Sequence, residues 1–289
     1  MRWEGGEQSE NLEDRRRMGG RTMAIGGGAT IVALLIAYAL GVDPALVNKF
    51  LNPQGARPGQ QQVKKGPETP EEKRSREFFR TVLGMTETVW DRQFRAIGRR
   101  YEKPKMVLFS EAVQTGCGNA PSSVGPFYCP ADKHVYLDPT FFEELESRLG
   151  GSKAEFSQAY VVAHEVGHHV QNLLGFSDLV HSKRREPNYN EWSVRLELQA
   201  DYLAGVWAHY AEQMRPGLIE QGDIESAIQS ANAIGDDRLQ KRSRGWVSPE
   251  SFTHGSSEQR VRYFKQGLQS GRFDEQTLQR FFTIPYKQL

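Results

Sequence analysis

The alternation of apolar and polar positions divides the chain into a short polar head, one long apolar run, a polar spacer and a large patterned region. Residues 1–22 are mostly polar and carry Arg15, Arg16, Arg17 and Arg21. Met23 to Leu40 then holds no charge. As a helix extended to Val42 it would reach ~30 Å, the thickness of a hydrocarbon core. Residues 43–68 follow, and from Asn52 they are rich in Pro, Gly and Gln with few apolar groups, the composition of a flexible spacer. The folded domain is therefore expected to begin near Thr69 and to run to residue 289.

Thr69-Pro70-Glu71-Glu72 reads as a helix start, with Thr as cap and Pro at the first helical position. Phe78, Phe79, Val82, Leu83 and Met85 give it an apolar stripe. A second helix is expected over 86–100, with Val89, Trp90, Phe94 and Ile97 on one face. Lys105–Ser110 and His134–Asp138 have strand character. Asp138-Pro139 starts a helix that Gly150-Gly151 ends, and another runs from Phe156 to Gly175. Residues 182–190 read as a polar loop, 191–210 as a helix, and 223–234 as a helix ended by Gly235-Asp236-Asp237. Two more helices close the chain, one capped by Ser256 or Ser257 and one within 273–289. The pattern predicts an α+β domain, mostly helical with a small β-sheet, preceded by one transmembrane helix.

Arginines before the apolar run place residues 1–22 in the cytoplasm and the domain outside, by the positive-inside rule. A cleaved signal peptide is the competing reading, because Ala37-Tyr38-Ala39 fits a small-x-small cleavage site. The expected location is thus the bacterial inner membrane, single-pass, with the domain on the periplasmic side. In that compartment Cys117 and Cys129 have one partner each, and a disulfide would close a small loop. In a cytoplasmic domain they would be free thiols. The net charge of +1 gives no footing for nucleic-acid binding.

The chemistry concentrates in VVAHEVGHHVQ. A helix turns ~100° per residue, so His164 and His168 project within ~40° of each other and can take two corners of a tetrahedral zinc site. Glu165 lies on the neighbouring flank, placed to hold a metal-bound water rather than the metal. Gly167 costs a helix ~1 kcal/mol relative to Ala, which points to a close approach there. The bland alternative is an exposed helix that carries His and Glu by accident.

In RLELQADYLAGVWAH, Glu197 and Asp201 share a face of an otherwise apolar helix. An unpaired buried carboxylate costs several kcal/mol, at the scale of ~3 or more. A zinc ion would offset this for Glu197, while Asp201 could accept the spare N–H of a liganding histidine, His164 being the candidate. The alternative is a helix rim where both acids are solvated or paired with arginines. Further on, His254 precedes a helix start and is the candidate donor to the oxyanion of an attacked carbonyl, with Arg260 second. A surface histidine packed on its own helix start is the competing reading.

H-E-x-x-H followed by E-x-x-x-D resembles the gluzincin pattern. The whole chain resembles the bacterial neutral zinc metallopeptidase family, through MRWEGGEQSENLEDRR, the single apolar span, CG…GPFYCP, VYLD, HEVGHHVQ, RLELQADYLAGVWAH and FTHGSSEQR. The resemblance implies a membrane-anchored zincin holding one zinc through His164, His168 and Glu197, with Glu165 as base and a peptide or protein substrate. The separation of His168 from Glu197 is longer than in thermolysin-like enzymes, which leaves the intervening shape open. Two other functions fit the same residues: a membrane-tethered scaffold that binds partners without cleaving, and a cell-wall amide hydrolase.

Overall fold

The computed structural model of the chain describes residues 1–17 and 67–289; the expected span 23–42 and the linker as far as residue 66 lie outside them. Among the described residues no helix is long and apolar enough to cross a membrane. The described part is mostly helical with a small mixed sheet.

Helix α1 (Pro70–Ala96) starts as predicted. Thr69 Oγ1 accepts the Glu72 amide at 3.2 Å, and the Glu72 carboxylate accepts the Thr69 amide at 2.8 Å, a reciprocal cap. The expected break near residue 85 is absent, and one helix of 27 residues runs through. Gly84, within this helix, allows a close approach. A Cβ there would stand 2.6 Å from the Glu7 carbonyl oxygen. The N-terminal segment lies directly on the helix at this point.

That segment corrects the boundary expected at Thr69, because residues 1–17 are part of the fold. Strand β1 (Leu12–Asp14) pairs in parallel with β2 (Lys105–Leu108). Met1 and Trp3 are buried, and Trp3 packs edge-on against Phe78 with ring centroids 5.4 Å apart. Ser9 Oγ and Asn11 Nδ2 donate to the buried Glu87 carboxylate at 2.6 and 2.7 Å. An anionic side chain inside the domain is thus stabilised by groups from the chain's first residues. The polar composition of the segment hid this, since Trp3 and Leu12 are too far apart to make a periodic stripe.

Strand β6 (His134–Leu137) pairs in parallel with β2, and β5 (Phe127–Cys129) pairs antiparallel with β6, giving the order β1-β2-β6-β5. Strands β3 (Ala112–Thr115) and β4 (Gly118–Pro121) form a separate hairpin. The Cys117–Cys129 disulfide ties this hairpin to β5 across a Cα separation of 5.9 Å.

Helix α2 (Phe141–Ser147) begins three residues later than Asp138 because Asp138 caps the preceding turn, accepting from Thr140 N and Oγ1. Helix α3 (Glu155–Leu174) ends at Gly175 in the left-handed region, φ 87°. Helix α4 (Phe176–Ser182) follows at once, and α5 (Tyr189–Met214) starts within the stretch predicted as loop. After α6 (Asp223–Ala233), Asp236-Asp237 opens a helix rather than only ending one: α7 (Asp236–Arg244). Its sequence DDRLQKRSR has a single apolar residue, so periodicity gave no signal. Helices α8 (Ser257–Ser270) and α9 (Glu275–Thr283) complete the body.

Two crossings place the site. At the first, a Cβ on Gly167 of α3 would stand 3.1 Å from the Ala200 carbonyl oxygen of α5. This is the close approach predicted from Gly167. At the second, α5 and α8 meet backbone to backbone. A methyl on Gly205 would fall on the Phe264 carbonyl oxygen, and one on Gly267 on that of Tyr202.

Candidate metal centre

Helix α3 sets His164 and His168 one turn apart on its inner face, their rings nearly perpendicular with centroids 4.8 Å apart. Because Gly167 admits α5 so closely, Glu197 arrives between them. His164 Nε2 lies 3.3 Å from Glu197 Oε2, and His168 Nε2 lies 3.5 Å from Glu197 Oε1. The three ligand atoms lie within 4.8 Å of one another. Ligands ~2.0–2.1 Å from a tetrahedral zinc are separated by ~3.3 Å along each edge. Both imidazole–carboxylate separations lie near that edge length, and the donor set of two imidazoles and a carboxylate suits zinc. The residues therefore fit the ion.

Each imidazole is held so that Nε2 faces the common point. His164 Nδ1–H donates to Asp201 Oδ1 at 2.9 Å, as predicted for Asp201. His168 Nδ1–H donates to Gln171 Oε1 at 2.8 Å. Gln171 in turn donates to the Leu196 carbonyl at 2.6 Å and to Gln199 Oε1 at 3.0 Å, so it also fastens α3 to α5. Sequence reasoning missed Gln171, although its place one turn after His168 was legible.

Asp201 is buried and accepts four hydrogen bonds. Besides His164, these come from Tyr160 Oη at 2.5 Å, Arg260 Nε at 2.8 Å and Arg260 Nη2 at 3.1 Å. Arg260, the second candidate for an oxyanion donor, is thereby corrected: its guanidinium is buried and committed to Asp201. Burial pushes the Asp201 carboxyl up, but Arg260 and His164 outweigh it and bring it down to about 2. Burial likewise lowers His164, and Asp201 reverses this, raising the ring to about 10. Glu197 is also pushed up by burial, yet His168, His254 and His164 hold it well below the usual carboxylate range.

Glu165 is buried beside the two histidines. Its carboxyl is raised by burial, with His164 and His168 opposing. His254 sits in the loop before α8 and is fixed by α7. Asp236 accepts the amides of Thr253, His254 and Gly255 at 2.7, 2.6 and 3.0 Å, and its Oδ1 lies 3.2 Å from His254 Nδ1. Burial lowers the His254 ring, but Asp236 and Glu197 outweigh it and raise the ring above its ordinary value. The structure thus brings His164, Glu165, His168, Glu197, Asp201 and His254 to one place. Sequence reasoning missed Asp236, which pattern alone had spent on ending a helix.

The family described as "Putative neutral zinc metallopeptidase" matches residues 1–277. This chain belongs to that family. Among relatives, the uncharacterized protein YpfJ of Escherichia coli K12 is 42% identical over 284 residues, covering 94% of this chain and 96% of the relative. The uncharacterized proteins Mb2605 of Mycobacterium bovis and Rv2575 of Mycobacterium tuberculosis H37Rv are each 48% identical over 179 residues, 59% of this chain and 60% of theirs. No solved structure matches the chain. The family match reaches into residues 1–17, the same residues that the fold incorporates.

Proposed function

We propose that this member of the family is a zinc-dependent metallopeptidase of zincin type, with His164, His168 and Glu197 holding one ion and Glu165 acting as base. The observation that carries this reading is the convergence of the three ligand atoms beside a buried carboxylate that ligates nothing. When bound, zinc would lower the pKa of a water and polarise a scissile carbonyl. Glu165, its carboxyl raised by burial, would hold the proton of an attacking water and pass it to the leaving nitrogen. His254, steadied by Asp236, donates to the oxygen that gains charge. Asp201 and Gln171 keep both imidazoles in the tautomer that presents Nε2.

A scaffold that no longer cleaves would need no base, and a purely structural site has all four positions closed by protein. The intact Glu165 therefore favours catalysis. The disulfide supports an extracytoplasmic domain acting on peptides or proteins there.

The test uses the full chain. Purified protein should carry about one zinc, and Glu165→Gln should keep it while hydrolysis falls by at least ~100-fold. Cells expressing either form are compared by their peptide products. Identical peptides from both would leave the scaffold reading standing. Released cell-wall fragments without new protein termini would move the substrate to a cell-wall amide.

A further inference from the structure

We infer that residues 1–17 and the body formed by residues 67–289 occupy the same side of any membrane. The inference is independent of the proposed catalysis and replaces the single-pass arrangement expected from the arginine pattern.

It rests on how firmly the chain's start is built into the body. β1 takes three register positions against β2, Leu12 with Met106, Glu13 with Val107 and Asp14 with Leu108. Ser9 exchanges backbone hydrogen bonds with α1, its amide donating to the Arg80 carbonyl at 3.0 Å while Arg80 Nε donates to the Ser9 carbonyl at 2.9 Å. Gly84 leaves no room for anything but the Glu7 backbone. The two ends of the intervening stretch are also joined to each other. Arg17 pairs with the Glu72 carboxylate, and Arg16 Nη2 donates to the Glu72 carbonyl at 3.0 Å. The chain thus leaves the body and re-enters it at one place.

A helix that crosses a bilayer once puts its flanks ~30 Å apart on opposite faces. Backbone pairing between β1 and β2 cannot reach over that distance. Two crossings would return the chain to the same side, but a second crossing needs ~20 mainly apolar residues. Residues 41–66 contain Asp43, Lys49, Arg57, Lys64 and Lys65 and supply no such run. The clasped ends therefore place residues 1–17 beside the body, on one side.

The experiment places one reporter cysteine on each flank of full-length protein expressed in Escherichia coli: Glu10→Cys in the first segment and Glu258→Cys on α8, both exposed positions. Both native cysteines, Cys117 and Cys129, are replaced by Ser in the reporter forms, so that no native thiol takes label on either side of the membrane. A membrane-impermeant maleimide is applied to spheroplasts and, in parallel, to lysed cells, which report each site's intrinsic reactivity. The expected result is that both reporters label equally in spheroplasts relative to lysate, or that both label only after lysis. Labelling of one in spheroplasts while the other needs lysis would overturn the inference and restore the single crossing.

Discussion

Replacing Asp201 by Asn tests whether the second layer of the centre sets the metal's grip. The change is nearly isosteric, but it removes the charge that faces Arg260 and puts an amide N–H₂ among four donors that all need an acceptor. Both ions of the Asp201–Arg260 pair are buried, so the remaining guanidinium loses its counter-charge inside the protein. Breaking such a pair costs ~3–5 kcal/mol. His164 loses the partner that fixes its Nδ1–H, and an outer partner of this kind is worth ~10–100-fold in metal affinity. The two effects separate by assay. Urea unfolding of chelator-treated protein reads the first, and competition for zinc against a chromophoric chelator, under conditions where both proteins are folded, reads the second. Arg260→Met is the companion: it should lose stability while leaving the Asp201–His164 bond, and should weaken zinc much less. Zinc affinity within twofold of wild type in Asp201→Asn would refute the reasoning.

Three other outcomes follow from particular contacts. His169 is fully buried, with Nε2–H donating to the Glu102 carbonyl at 2.6 Å and Nδ1 facing Tyr128 Oη at 3.0 Å; burial lowers its ring to about 4. A folded value below the unfolded one gives stability that is complete above pH 6.5 and is lost as pH falls toward 4. This is worth up to ~3 kcal/mol, and unfolding curves in chelator should show a shallower slope over that window in His169→Gln. Gly267→Ala should lower the stability by at least ~2 kcal/mol, because its methyl meets the Tyr202 carbonyl. A raised melting temperature, which helix propensity alone would give, would show that α5 and α8 are not in backbone contact. Trp3→Ala should cost ~3–5 kcal/mol in chemical unfolding and speed proteolysis of the first segment; a loss below ~1 kcal/mol would mean that the segment is not part of the core.

The helices with long apolar stripes, and the ligand face of α3, were readable because their periodicity and the H-E-x-x-H spacing are local facts. Gly167 even announced the approach of α5. What could not be read depends on distant partners. Nothing around Gly84 shows that it meets Glu7, because that neighbour is far away in sequence. α7 has almost no apolar residues, and its value lies in Asp236, which gathers the amides around His254. Arg260 reads from the sequence as a second candidate donor to an oxyanion, and only the fold shows it turned toward Asp201. Strands β1, β3 and β4 hold only one or two apolar residues each, without the apolar run that marked β2 and β6.

The parallel pairing of β1 with β2 also governs the order of events on the ribosome. Leu12–Asp14 has no strand to join until Lys105–Leu108 has been synthesised, and Asp223, which meets the Met1 amino group at 3.1 Å, comes later still. Trp3 stays uncovered at least until Phe78 has been made. Contacts so distant in sequence slow folding. A nascent chain of this kind has time to be captured by a targeting or chaperone system before its own core can take the tryptophan in.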